Sequence, residues 1–384
     1  MIFYIYLCIM KPKISNDILK LSNIFHENGK SLYIVGGFLR DLLYKVKSKD
    51  IDLATNAEPN DVIKILEKHN MRYTAHGKSF GVVVLYTEEN PLGLEIATFR
   101  KDGIGRKPTV EFIPTIEEDL KRRDITISAL AYDIYNSKFV DVCGSVSDIE
   151  KNIIRMVGNP KERINEDKLR ILRVGRFLAR FDSTLDPETL NAICLNNDLK
   201  DVSKERVWDE IYKTYKTSKN INKFYTFCYD VNLWSEIFEN SNISENVIPT
   251  GDIVLDLAML LKDNGYDKNY LTSKFKIPLD YSAKIGFLIR FIKDFKADDV
   301  FLWYKDFMRC GLSKKQLKQW LYNNTVSTYY TKFIYYEPVY TSIQIMDLLG
   351  IPHTDGKPDD PKLGKAIGDT MKEKEAERYA ALIR

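Results

Sequence analysis

Two aspartates set two residues apart, in Asp50-Ile51-Asp52-Leu53, are the first residues in this chain whose types and spacing could do chemistry. Read as a strand, the stretch puts Asp50 and Asp52 on one face and Ile51 and Leu53 on the other. Paired carboxylates repel each other and are costly to desolvate, and a divalent cation relieves both problems. Hard oxygen donors suit Mg²⁺, which takes one or two carboxylates and completes its shell with water and substrate phosphate. Upstream, Gly36-Gly37 breaks the apolar run Leu32–Val35 and opens a helical pattern over Phe38–Val46. Free amide N–H groups and the helix dipole favour anions at such a start. Arg40, one turn in, adds a planar cation suited to phosphate. Together these features describe a nucleotide–metal site; singly, each also fits a strand–helix–strand start with a solvated acidic edge.

The elements around these residues alternate. A helical pattern covers Ser15–Gly29 and another Asn60–His69, with strand-like runs at Phe80–Tyr86 and Leu92–Phe99. This alternation, continuing to about residue 142, predicts a small domain of mixed strands and helices. Glu95 falls inside the apolar strand run Leu94–Phe99, where a buried carboxylate needs a partner. It is a third acidic residue near a metal, or it pairs with a lysine or arginine at a strand end. Lys101–Thr109 is glycine-rich and basic and reads as a mobile loop. Glu166–Phe181 is predicted to be one helix, with Asp167, Arg170, Arg173 and Arg176 recurring every three residues. On one helix, Asp167 and Arg170 are surface neighbours, and the plain reading of such a pair is a solvated ion pair. From Asp182 onward the pattern is mostly helical.

Composition bounds the rest. The 384 residues leave room for two or three domains. An apolar content of 44% marks a globular chain, and a net charge of +3 confines any nucleic-acid surface to a local patch. The five cysteines, Cys8, Cys143, Cys194, Cys228 and Cys310, are scattered without metal-ligand spacing, which fits a reducing compartment. With four histidines and no His-Asp doublet, no metal-dependent phosphohydrolase module is expected. Residues 1–10 are apolar but too short for a membrane span and lack a basic start. They are expected to be a disordered extension, with Met10 a second candidate start.

The motifs GG-x-x-R-D-x-L-L and D-x-D followed by L-A-T resemble the tRNA nucleotidyltransferase/poly(A) polymerase family, the eubacterial–eukaryotic type of CCA-adding enzyme. Further stretches continue the resemblance: Arg122-Arg123-Asp124, Phe139–Gly144, Glu166-Asp167 with Arg170, and Glu205–Ile211. It is strong over about residues 30–212 and weaker beyond.

The resemblance implies an α+β fold, with a polymerase-β-like nucleotidyltransferase head of mixed sheet and helices followed by an all-helical neck, body and tail. Residues 1–13 would be the extension, 14–150 the head, 151–215 the neck with its base-recognition helix, and 216–384 the tRNA-binding body and tail. It also implies a cytoplasmic, Mg²⁺-dependent, two-metal enzyme adding CCA to tRNA 3′ ends from CTP and ATP, with no obligate protein partner. Asp50 and Asp52 would be the catalytic metal ligands, with Glu95 a third; Gly36, Gly37 and Arg40 would take the triphosphate, and Arg122, Arg123 and Asp124 the ribose.

Asp167 and Arg170 would read the base, supported by Arg173 and Arg176. Cytosine and adenine both offer an exocyclic amine donor beside a ring-nitrogen acceptor, so a carboxylate accepts the first and a guanidinium donates to the second. Uracil and guanine present the reverse pattern. Asp102 and Arg106 would belong to the flexible loop that aids the change from C to A, and there Ile104 stands where the family has aspartate. Ser128 likewise replaces the family's asparagine. A CC-adding enzyme or a poly(A) polymerase is therefore the alternative, and a non-catalytic RNA-binding descendant the remote one. Lys314, Lys315, Lys318 and Trp320 suit an RNA backbone, each being also ordinary surface or core.

Overall fold

The computed structural model describes residues 12–48, 50–102, 110–245, 247–324, 328–354, 356–358 and 360–383. The chain divides into two compact units, Met1–Val202 with Lys216–Leu233, and Ser203–Tyr215 with Trp234–Arg384.

The first unit is organised on a mixed sheet. Helix α1 (Asn16–Glu27) leads into β1 (Leu32–Val35), α2 (Gly37–Leu43), β2 (Asp52–Thr55), α3 (Pro59–Lys68), β3 (Arg72–Thr74), β4 (Val82–Tyr86) and β5 (Leu94–Thr98). A separate antiparallel ladder joins β6 (Arg100–Asp102) to β7 (Val110–Phe112). After α4 (Ile116–Lys121), strands β8 (Ala131–Asp133) and β9 (Lys138–Val140) complete a seven-stranded sheet of order β3-β4-β5-β2-β1-β8-β9. Only β2 and β5 run parallel within it. Both faces carry buried apolar residues: Ile34, Leu53 and Ile96 on one, and on the other Val35 and Ala54, which cluster with Phe99, Ile116, Leu120 and Ala131.

Helix α2 stops earlier than its pattern predicts. Lys45 takes a left-handed conformation, φ +58, and the Val46 N–H donates back to the Asp41 carbonyl at 2.8 Å. That geometry closes a helix C-terminus and prevents another turn.

The unit continues through α5 (Ser145–Lys151), β10 (Ile153–Ile154), α6 (Pro160–Glu166), α7 (Leu169–Phe181), β11 (Thr184–Leu185), α8 (Pro187–Cys194), α9 (Lys204–Thr217), shared with the second unit, and α10 (Ile221–Asp230). The single helix expected over Glu166–Phe181 is in fact two. Asp167 is extended, φ −155 and ψ 105, and its carboxylate accepts from the Leu169 N–H at 3.1 Å. A short acidic side chain that satisfies the next helix's start competes with helix continuation. Asp167 and Arg170 are therefore not neighbours on one helix: Asp167 lies in the break. Downstream, Gly175 lets α7 approach α10, since a Cβ there would meet Phe227 Cδ1 at 2.7 Å.

The second unit is helical: α11 (Ile253–Leu260), α12 (Lys268–Phe275), α13 (Leu279–Asp294), α14 (Val300–Cys310), α15 (Lys314–Asn323), α16 (Ser342–Leu349) and α17 (Gly364–Ile383). A small hairpin pairs His353–Thr354 with Lys357–Pro358. The aromatic-rich composition here is largely core: Phe291 packs on Phe295, Trp303 and Phe333 with ring centroids 4.6, 5.5 and 4.8 Å away. Trp320 is only 1% exposed, so it packs inside rather than facing RNA. Lys314 pairs with Glu337, while Lys315 and Lys318 are exposed. Among the described residues no helix is long and apolar enough to cross a membrane.

One buried carboxylate ties this unit's last helix down. Glu375 accepts from Tyr336 Oη, the Val339 and Tyr340 N–H groups and Arg378 Nε at 2.9, 2.7, 2.8 and 3.1 Å. Glu375→Ala leaves those donors unpaired and should cost about 3 kcal/mol. All four tryptophans (Trp208, Trp234, Trp303 and Trp320) lie in the second unit, so tryptophan fluorescence during urea unfolding reads that loss directly. An unchanged midpoint would refute it.

Candidate active site

Asp52 opens β2 in the middle of the sheet. The parallel register sets it beside Glu95 on β5, and directly aligned residues on neighbouring strands point to the same face. Leu94 and Ile96 are buried on the opposite face, while Asp52 and Glu95 are exposed. Glu95 is thus not the buried carboxylate its apolar flanks suggested; it stands on the open face with Asp52. Asp50 precedes the strand rather than sharing its pleat. The carboxyl of Asp52 lies above the ordinary carboxylate range, first because protein crowds it out of bulk water and then because Glu95 and Asp50 add negative charge; Arg123 and Arg40 oppose the shift. Among the described residues no group of three or more His, Cys, Asp or Glu side chains could hold a metal ion by itself.

The glycine turn flanks this acidic face, because Val35 at the end of β1 is the register partner of Asp52. Gly36 has φ +72 and ψ −122, a conformation costly for any other residue. A Cβ on it would lie 2.8 Å from Arg123 Nη1, so the turn and this guanidinium are in direct contact. Gly37 begins α2, and a Cβ there would meet Arg40 Nη2 at 3.5 Å.

Arg40 is only 6% exposed. Its Nε and Nη2 reach Asp41 Oδ1 at 3.0 and 2.9 Å, its Nη1 donates to Ser128 Oγ at 2.9 Å, and its guanidinium lies over the Phe177 ring at 4.8 Å. Burial, with Arg180 and Arg176 nearby, lowers its pKa to about 10 against the pull of Asp41. Arg40 is therefore a packed and paired cation behind the turn, not a side chain extended into solvent. Ser128 supplies a hydrogen-bond acceptor to it.

The segment after α4 brings the next cations in. Asp119, 1% exposed, accepts from Arg122 Nε at 2.8 Å and Arg123 Nη2 at 3.2 Å. Burial works against its ionisation, yet Arg123 and Arg122 hold it below the usual carboxylate range. Asp124 turns the other way: its Oδ1 accepts from Arg170 Nε at 2.7 Å and its Oδ2 pairs with Arg173 Nη1 at 2.5 Å. Arg170 also donates from Nη1 to the Arg163 carbonyl at 2.7 Å and to Glu166 Oε2. Burial would lower the Arg170 pKa, but Asp124 and Glu166 raise it overall. Arg176 stacks over Phe177 at 4.1 Å.

The structure therefore gathers Asp50, Asp52, Glu95, Gly36, Gly37, Arg40 and Arg123 at one place, and joins Arg122, Asp124, Arg170 and Arg173 to it through α4 and α7. Asp167 sits at the entrance to α7. Asp102 lies in β6, where its backbone pairs with Val110; Arg106 and the rest of 103–109 are outside the described residues. Sequence reasoning assigned nothing to Asp41, Asp119 or Arg180. The spacing of Asp119 from Arg122 and Arg123, three and four residues along a helix, was a usable signal; the distance between Asp41 and Arg180 hid theirs.

Residues 32–155 match the family described as Poly A polymerase head domain. The CCA-adding enzyme of Oceanobacillus iheyensis is 33% identical over 282 residues, 68% of this chain and 68% of that one. That of Lactobacillus johnsonii is 38% identical over 207 residues, 53% of this chain, and the match spans only about half (50%) of its length. The Bacillus stearothermophilus CCA-adding enzyme, solved in complex with CTP, superposes with a TM-score of 0.69 at 22% identity, covering 97% of this chain and 98% of that chain. At that identity the likeness shows the fold alone, a mixed-sheet unit and a helical one.

Proposed function

The chain belongs to the CCA-adding enzyme family, and from that premise we propose that it is a template-independent nucleotidyltransferase of the cytoplasm, adding CCA to tRNA 3′ ends from CTP and ATP with release of pyrophosphate. The observation that carries this reading is the juxtaposition of the Asp52–Glu95 face with the Gly36 turn and Arg123: a cation site and an anion site side by side.

Asp50 and Asp52 would hold the divalent cation, with Glu95 beside them. The donors are all hard oxygens and too few to enclose an ion, which fits Mg²⁺, an ion that keeps positions for water and phosphate. The cation, when bound, supplies acidification of the primer 3′-hydroxyl and neutralisation of the leaving pyrophosphate. The Gly36–Gly37 turn would take the triphosphate on the Gly37 amide, the Gly36 N–H donating instead to the Leu130 carbonyl at 3.2 Å, with Arg123 against the turn and Arg40 stiffening it from behind. Arg122, Arg123 and Asp124 would face the sugar, and Asp167 with Arg170 the base, Arg173 and Arg176 supporting them. No covalent nucleophile is required, since positioning and charge complementarity carry the reaction.

Residues 14–150 would form the head, 151–215 the neck and 216–384 the tRNA-binding body and tail. Ile104 in the loop favours a second reading, a CC-adding enzyme. Extending a tRNA that lacks its CCA end, with CTP and ATP, and mapping the product by gel decides between them. A full CCA is expected. Stopping at CC would establish the second reading, long A tails a poly(A) polymerase, and no incorporation an RNA-binding descendant.

A further inference from the structure

Helix α7 is gripped at two places. Near its start, Asp124 holds Arg170 and Arg173. Near its end, Asp41 Oδ2 accepts from Arg180 Nη2 at 2.7 Å, while the other oxygen of the same carboxylate holds Arg40. Asp41 is 3% exposed, so the bridge lies in protein rather than at a screened surface. The same joint carries a stacked pair, Tyr44 on Phe181 with ring centroids 3.9 Å apart, and Arg40 between α2 and the Phe177 and Phe181 rings at 4.8 and 5.5 Å. Arg170 and Arg180 are about 15 Å apart along the helix axis. One grip leaves a helix free to roll about its attachment; two fix its rotation. What α7 presents at its start is Arg170, and what α2 presents at its start is the glycine turn.

We propose that Asp41 is a positioning residue for base selection: through Arg180 and Arg40 it fixes the rotation of α7 relative to the glycine turn, and so the placement of Arg170 against the base of a nucleotide whose triphosphate lies on that turn. This rests on the nucleotidyltransferase reading. Asp41 itself touches neither nucleotide nor cation. Its loss leaves the binding groups present but misaligned, which lowers selectivity more than affinity for triphosphate.

The test compares wild type, Asp41→Asn, Arg180→Gln and the double variant. It reads Kd for CTP and for UTP by calorimetry, kcat and KM for CTP incorporation, and melting temperature. The CTP-over-UTP preference is expected to fall about 10-fold or more in each single variant, with kcat falling more than KM rises. The double variant is expected to be no worse than the singles, because both remove one joint. Arg180, on the rim of the joint, keeps the test informative if Asp41→Asn fails to fold. Preference retained in folded variants that merely melt lower would overturn the positioning role and leave it a structural contact. A wild type without any preference for CTP would instead overturn the base-selection reading itself.

Discussion

Asp52→Asn is expected to lower CTP incorporation by about 10³-fold or more, equivalent to about 4 kcal/mol of transition-state stabilisation, without lowering the melting temperature. The two halves of this expectation share one cause. The carboxyl of Asp52 is crowded by protein and faces the negative charge of Glu95 and Asp50, which pushes its pKa up. A raised carboxylate pKa means that the fold disfavours the charged form, so this group's contribution to stability falls as pH rises from the ordinary carboxylate range through the folded value. Above that pH an amide of the same shape removes a repulsion from the cation-free protein. Divalent cation should therefore raise the melting temperature of the wild type by binding the native state and leave that of Asp52→Asn nearly unmoved. This thermal readout needs no activity. Retained incorporation, or an equal Mg²⁺-induced shift in both proteins, would remove the assignment of Asp52 to the cation.

The second large effect is expected at Asp167. Asp167→Ala should raise UTP incorporation relative to CTP by about 10- to 100-fold, the value of one or two hydrogen-bonding groups no longer mismatched or matched in a desolvated site. The structure adds a complication that sequence spacing did not show. The Asp167 carboxylate also accepts from the Leu169 N–H at the start of α7, so alanine removes a cap worth about 1 kcal/mol as well as the proposed base contact. Asp167→Asn separates the two, because asparagine caps a helix about as well as aspartate but brings an amide donor and no charge. Competition between CTP and UTP on a tRNA lacking its terminal nucleotides should show relaxed selection in both variants, with the melting temperature lowered only in alanine. Unchanged selection in both would refute the role in reading the base.

Much of the site is local in sequence and was readable there. The glycine turn, the strand carrying Asp52 and the R-R-D segment each form within a few residues, by turn chemistry and alternation. Their residue types already point to the proposed cation site beside an anion site, and the motifs to the family. Other features depended on contacts between distant residues. Glu95 looked buried because its neighbours are apolar, but the β2–β5 register turns it to the face of Asp52. Arg40 looked available for phosphate, but Asp41, Ser128 and the α7 phenylalanines enclose it. Trp320 fitted either an RNA surface or the core by sequence, and packing places it in the helical core.

Asp167 and Arg170 looked like partners on one helix. An aspartate that caps the following turn breaks that helix, and Arg170 pairs with Asp124, 46 residues earlier. By itself, then, the sequence determined the chemistry available, because residue type and short spacing set donors, charges and turns. Only the tertiary structure decided which carboxylate each arginine meets, because register and helix packing place side chains that the chain separates by dozens of residues.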